Sequence, residues 1–499
     1  MASASSSNSS PLNKITVPQN SLIVQSAPGT GIVHIGLGNF HRAHLAFYTA
    51  CAVRDSGGDW GIFGYSLRST AIPEAMTNQD LLYSIVTISP TSDAIDIPGI
   101  HTGAIGGPDR VSEVLAQISL VSTKIISLTV TEAGYLISPQ SNGLNIQAPE
   151  IIHDLKNPLS PKSAIGIIAR GLELRANSHC EPITVMSCDN LSGNGDRTRQ
   201  LVLEFVSLLD SPIKLRTYIE NSVTFPNSMV DRIVPGTELR HLELAEERLG
   251  VHDLSPVPAE EFSMWIVEDN FAAGRPAWEN QGVIFTDDVA AYELMKLRLL
   301  NGTHSLLSYL GALAGQETIP GARFVPYIEQ AVQTILNKEF LPSFTMPPAL
   351  KAEDYISQLF SRWSNTVLGD RTSRVGSDGS TKLPQRITEP VLFHARSGVV
   401  PQYIALTVAA WLACVAPLKG FDPGADARAM KDPSKEKLLE LAAVKSSTHE
   451  FVTSVFNEAA IFSTELAQHL DFIETIAMYL DQIIENGIHS AADLAASRS

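Results

Sequence analysis

The chain has 499 residues, which is too long for a single hydrophobic core and implies two sizeable domains. Its 44% hydrophobic and 18% charged content is that of an ordinary globular protein. A formal net charge of −17 argues against nucleic acid and anionic membrane surfaces as partners.

The serine-rich start has no apolar core or arginine of a secretory signal, and residues 1–25 read as a disordered tail. A strand follows at 31–35, ending in Gly36-Leu37-Gly38, and a helix is expected over 41–53. A strand–turn–helix with two glycines is where backbone N–H groups meet a dinucleotide pyrophosphate. The third glycine of the full fingerprint is replaced by His41, and a GxG alone suits a plain β-turn equally well. His41 and His44 have the spacing of a metal pair, but no third ligand is convincingly placed nearby.

A second strand is expected over 60–65. The residues after it, Leu67-Arg68-Ser69-Thr70, lack the acid that usually holds the NAD ribose, and Arg68 suits a 2′-phosphate instead. Further strands at 124–130 and 183–188 alternate with helices at 109–120, 163–175 and 197–209. This alternation predicts a doubly wound, mostly parallel sheet. Cys188-Asp189-Asn190 would then lie at a strand's C-terminal end, facing the ligand crevice, although Asn190 is equally at home in a turn. Asp231-Arg232 reads first as a structural salt bridge.

Beyond about residue 285 the periodicity is helical, with helices expected at 290–314, 325–336, 352–363, 403–416, 435–444 and 465–485. The expected organisation is therefore α/β: a sheet domain over 26–285 and a mainly α-helical domain over 286–499. The apolar run 403–418 is too short to span a bilayer and suits a buried helix. Residues 369–383 read as a long polar loop. The four cysteines are scattered without zinc or redox spacing, which suits free thiols in the cytoplasm.

The densest chemistry lies in Lys296-Leu297-Arg298-Leu299-Leu300-Asn301-Gly302-Thr303-His304. On an α-helix Lys296, Asn301 and His304 project at roughly 0°, 140° and 80°, so they share one broad face. Glu293 sits one turn earlier, within reach of the ammonium. A lysine in partly desolvated surroundings loses basicity and becomes a usable acid or base. The bland alternative is a snorkelling lysine on a buried helix.

Several segments together resemble the mannitol dehydrogenase family of polyol dehydrogenases. They are 32–44, 127–135, 185–190, 229–235, 265–270 with Gly274-Arg275-Pro276, 295–304 and 378–384, and they span the chain from about 30 to 480. The resemblance implies a Rossmann-like dinucleotide domain and NAD(P)-dependent, metal-independent exchange of a secondary alcohol and a ketone at C2 of a hexose-derived chain. It implies that Lys296 is the general acid/base, served by Glu293, and that Asn190 and Asn301 hold the alkoxide. His304, Asp231 and Arg374 would hold other substrate oxygens. Ile35, Gly36, Gly38, Phe40, His41 and Arg68 would serve the cofactor, NAD in the first place and NADP as the alternative.

The couples implied are D-mannitol/D-fructose and D-mannonate/D-fructuronate, so the partners expected are a small polyol, ketose or uronate. The loop 378–386 leans toward fructuronate reductases, with Lys382 or Arg386 suited to a carboxylate. A non-catalytic dinucleotide sensor is the reading from another class, but a sensor has no need of an acid/base lysine.

Overall fold

The computed structural model describes residues 9–499, and the chain divides after Ala290 into two compact units. The first is built on a six-stranded parallel sheet. Its strands are β1 (Thr30–Ile35), β2 (Gly61–Ser66), β3 (His101–Gly106), β4 (Ile125–Leu128), β5 (Ile183–Ser187) and β6 (Val223–Thr224). They lie in the order β3-β2-β1-β4-β5-β6, with all neighbours parallel. That is the doubly wound order of dinucleotide-binding sheets, and the strand order reverses between β1 and β4.

The central strands are apolar runs because both faces are covered. Val33 is in register with Phe63 on one side and Ile126 on the other. One face packs on helices Val111–Ile118, Ala164–Asn177 and Asn194–Ser207; the other packs on helix Leu45–Ser56, Trp265 and Trp278. Strand β3 was not expected from the sequence. Two short three-stranded sheets complete the unit. One joins Val257–Ala259, Ile85–Thr87 and Ile95–Asp96, and the other joins Ile284–Phe285, Met264–Val267 and Ser228–Asp231.

Three expectations need correction. Residues 1–8 of the expected tail lie outside the described residues, but the segment from Ser10 onward is packed. Leu12 and Val17 are buried with Ile97, Leu249 and Val251, and Leu12 N–H donates to the His252 carbonyl at 2.8 Å. The helix expected over 41–53 is two helices, Asn39–Ala43 and Leu45–Ser56, separated at His44 (φ −121°, ψ −89°).

The loop expected over 369–383 is largely helical, containing Thr372–Val375 and the start of Gly379–Ala395. Asp378 adopts the left-handed conformation (φ 61°) and turns the chain into that second helix. A Cβ at Gly379 would come within 2.3 Å of Trp411 Nε1, so only glycine fits the helix start.

The second unit is helical throughout. Gln402–Val415 is buried over almost its whole length, which explains its uniformly apolar sequence. It packs along helix Leu470–Arg498, which kinks at Gly487 (φ 84°, ψ 168°). Helix Val289–Met295 continues through a π-helical segment, Lys296–Gly302, into Thr303–Leu313. No helix among the described residues is long and apolar enough to cross a membrane.

Candidate active site

In the first unit a cleft of about 600 Å³ opens at the C-terminal ends of β1, β4 and β5, where the strand order reverses. Gly36, Gly38 and Phe40 line it, as does Asn190. Gly36 is required by the fold: its φ is +105°, and a Cβ would come within 2.0 Å of the Thr129 carbonyl. Gly38 has no such neighbour, since its nearest atom would be the Gly36 carbonyl at 3.7 Å. The room that Gly38 keeps is therefore cleft space. A glycine wall at a crevice beyond parallel strand ends fits a dinucleotide.

Beneath this turn lies a cluster the sequence reading did not find. His34 Nε2 is 3.2 Å from the Gly36 carbonyl and 3.0 Å from Thr129 Oγ1, while its Nδ1 is 2.9 Å from Ser127 Oγ. Thr129 Oγ1 also donates to the Gly36 carbonyl, at 2.9 Å. His41 stacks on His34 and meets His101 through their Nε2 atoms at 3.1 Å. All three rings are buried. Burial pushes His41 well below its ordinary pKa and takes His34 and His101 down to about 3. They are neutral, so one of the His41 and His101 Nε2 atoms donates and the other accepts.

Ile35 and His41, named with the cofactor residues, are fully buried behind the cleft wall rather than on it. Arg68 is exposed just past the end of β2.

Asp189 and Asn190 follow β5 on the cleft wall. The Asp189 carboxylate accepts from the Tyr135 hydroxyl at 2.5 Å, from Ser187 Oγ at 3.1 Å and from the Val130 N–H. Its burial outweighs those donors and pushes its pKa up to about 7. Asn194 Nδ2 ties the Asp189 carbonyl to that of Ser228, at 3.1 and 2.9 Å. Asp231 is buried at the end of the antiparallel strand Ser228–Asp231, opposite Met264. The Arg232 guanidinium donates to the carbonyls of Ala43 and Glu260 and lies over the Phe47 ring.

In the second unit Glu293, Lys296, Asn301 and His304 are all half-buried, between residues that are mostly buried. The π-helical segment changes the geometry expected of an α-helix. Its hydrogen bonds run i→i+5, which sets Lys296 and Asn301 one turn apart along the axis. Gly302 allows a close approach here, because a Cβ would come within 2.6 Å of Phe340 Cζ. The His304 ring tilts against Trp363 at 5.9 Å.

Arg386 Nη1 donates to Ser305 Oγ at 2.8 Å, and Lys382 Nζ to the Ser377 carbonyl at 2.7 Å. Arg374 is exposed and pairs with Asp370. No group of three or more His, Cys, Asp or Glu among the described residues could hold a metal ion.

The mannitol dehydrogenase Rossmann domain matches residues 30–280, and the mannitol dehydrogenase C-terminal domain matches residues 288–484. This chain belongs to the mannitol dehydrogenase family. It is 37% identical to the D-mannonate oxidoreductase of Escherichia coli K12 over 91% of this chain and 93% of that protein. It is 38% identical to a mannitol 2-dehydrogenase of Cereibacter sphaeroides over 76% of this chain and 80% of that one. Among solved structures it resembles Pseudomonas fluorescens mannitol 2-dehydrogenase in a ternary complex with NAD and D-mannitol. The TM-score is 0.83 and the identity 32%, over 98% of this chain and 100% of the other. This mannitol dehydrogenase family member is an NAD-dependent dehydrogenase.

Proposed function

We propose that the chain interconverts a secondary alcohol and a ketone at C2 of a hexose-derived polyol or aldonate, with D-mannitol/D-fructose as the first couple. The observation that carries this reading is the half-buried face bearing Glu293, Lys296, Asn301 and His304, with Lys296 and Asn301 one π-turn apart. NAD, when bound, supplies the hydride acceptor.

The chain's residues handle the proton and the oxygen. Lys296 Nζ takes the alcohol proton in oxidation and returns it in reduction, and Glu293 passes it onward. Asn301 and Asn190 donate amide hydrogens to the developing alkoxide, whose charge must be met by donors already in place. His304, Asp231 and Arg374 hold other substrate oxygens. Gly36, Gly38 and Phe40 line the dinucleotide cleft, with Ile35 and His41 supporting it from behind and Arg68 at the ribose end.

The D-mannonate/D-fructuronate couple is the second reading. Its support is Arg386, a half-buried cation bonded to Ser305, the residue after His304. A substrate carboxylate would give that guanidinium an anionic partner. The substrates are small molecules, and the net charge of −17 argues against nucleic acid. Four free cysteines suit the cytoplasm.

Oxidation of NADH by the purified protein, with D-fructose and D-fructuronate compared side by side, tests the proposal. Preference for fructose supports the polyol couple and preference for fructuronate the aldonate couple. Silence with both, from protein that binds NADH, would favour a dinucleotide sensor.

A further inference from the structure

We propose that a second cavity in the first unit binds a small carboxylate and is coupled to the dinucleotide cleft through His101, His41 and His34. The cavity holds about 240 Å³, room for a small molecule but not for a dinucleotide. Its wall includes Lys14, Leu22 and Gln25 of the N-terminal segment, Asp80 and Leu82, and His101 at the start of β3. The two cavities share no lining residue. The coupling rests on the reading of the larger cleft as the NAD site; the carboxylate site does not.

His101 is the link. It lines the second cavity, and its Nε2 meets His41 Nε2 at 3.1 Å. His41 stacks on His34 at 3.4 Å, and His34 Nε2 contacts the Gly36 carbonyl and Thr129 Oγ1, two residues of the cleft wall. Three rings in contact therefore join the cavities. Two neutral imidazoles share one hydrogen between their Nε2 atoms, and the ring that accepts must carry its own hydrogen on Nδ1. Among the described residues neither His41 Nδ1 nor His101 Nδ1 has a partner, so either arrangement leaves one buried N–H unpaired. Of the two rings, it is His101 that lines this cavity. A ligand oxygen accepting from His101 Nδ1 makes His41 the donor of the shared bond and removes the unpaired N–H.

The surroundings favour an anion. The Arg42 guanidinium bonds to neutral acceptors, the Ser255 carbonyl at 2.6 Å and Asn39 Oδ1 at 2.7 Å, and its charge acts on His101. Lys14 brings an ammonium to the wall. The carboxylates nearby are already engaged. Asp253, which faces Arg42, accepts from Gln79, Ser84 and Ser255, and Asp80 accepts from the Lys14 N–H at 3.1 Å. Leu22 and Leu82 offer apolar contact to a short carbon chain. Asp80 (φ 54°) and Leu81 (φ 67°), both on this wall, are left-handed without being glycine, a costly conformation that the surrounding structure must hold.

Sodium butyrate is the probe and butyramide its neutral counterpart, each added to the full chain at constant ionic strength. Saturation-transfer NMR reads butyrate binding directly, and titration of NADH by its fluorescence reads the coupling. Butyrate should bind in preference to butyramide. It should also lower the Kd for NADH severalfold, because fixing the bond between His101 and His41 steadies the ring on which His34 stacks. By linkage, NADH should tighten butyrate by the same factor. Leu22→Trp, which fills the cavity from a partly buried position, should abolish both effects and leave the Kd for NADH alone nearly unchanged. Lys14 is exposed and bonds to Asp80 through its backbone N–H, so Lys14→Ala keeps the test open even if Leu22→Trp folds poorly; it should weaken butyrate severalfold. Absence of butyrate binding, equal binding of butyramide, or a butyrate effect that survives in folded Leu22→Trp overturns the proposal. Butyrate that binds without moving the Kd for NADH overturns the coupling. Failure of NADH to bind while butyrate does overturns the cleft reading and the coupling with it, and supports the carboxylate site alone.

Discussion

His34 lies flat on His41, with ring centroids 3.4 Å apart and planes within 15°, directly beneath the Gly36 carbonyl that His34 Nε2 contacts. Unfolded imidazoles take up a proton below about pH 6.5, whereas folded His34 and His101 do so only near 3. The unfolded state thus binds more protons between those values. The stability of this cluster is present above about pH 6.5 and is lost as pH falls toward 3, by about 1.4 kcal/mol per pH unit for each ring. His41→Phe should flatten the fall in Tm on acidification relative to wild type. His34→Phe should in addition raise the Kd for NADH severalfold, because the Gly36 carbonyl loses a partner. Thermal melts across the acid range, with binding titrations at neutral pH, check both outcomes.

Glu339 is fully buried and accepts from the Tyr403 and Ile404 N–H groups at 2.8 Å each, at the start of helix Gln402–Val415. Burial outweighs those bonds and pushes its pKa up to about 7. A carboxyl raised in the folded state contributes stability below about pH 4.5 that is lost as pH rises through 7. Glu339→Gln removes the titration and one good acceptor. Its deficit in Tm against wild type should therefore be larger at about pH 5 than at about pH 8, with a change of a few kcal/mol at most. A constant deficit would assign Glu339 an ordinary titration.

Arg68 is exposed after β2, and no carboxylate follows that strand in Leu67-Arg68-Ser69-Thr70; under the proposed function it would meet a ribose 2′-phosphate. Arg68→Ala should lower kcat/KM for NADPH about tenfold, the value of one charged hydrogen bond, and change that for NADH less than twofold. Parallel kinetics with the two reduced cofactors decide it. Equal losses for both would remove any role in cofactor choice.

Gly302 sits inside the π-helical segment, with Phe340 where a Cβ would go. Gly302→Ala should destabilise the protein by about 1–3 kcal/mol, as overpacking does. It should also lower kcat more than it changes the Kd for NADH, since Lys296 and Asn301 share that segment. A normal Tm and kcat would mean that Phe340 swings aside freely.

The sheet was largely legible in the sequence, because β1, β2, β4 and β5 are apolar runs buried on both faces. Strand β3 escaped because His101-Thr102-Gly103-Ala104-Ile105-Gly106 is poor in β-formers, and pairing with β2 overrides that weakness. The start of helix Gly379–Ala395 read as loop because residues 369–383 are rich in glycine, serine, aspartate and arginine. Packing against Trp411, not propensity, explains the glycine at its start.

The Lys296 to His304 run was legible as one face, but nothing in its periodicity announces a π-helical segment. His34, His41 and His101 come from separate elements, so only the fold unites them. Asp189 was visible only as the neighbour of Asn190; Tyr135, its hydroxyl donor, comes from the short 3-10 helix Glu132–Tyr135 that follows β4.

The central claim, that Lys296 is the acid/base of this dehydrogenase, is tested most directly by Lys296→Ala, assayed for turnover and for NADH binding on the same preparation. The account expects turnover to fall by at least about a hundredfold, the lower range for loss of a general acid/base, with the Kd for NADH within twofold of wild type. Near-normal turnover at neutral pH would contradict it.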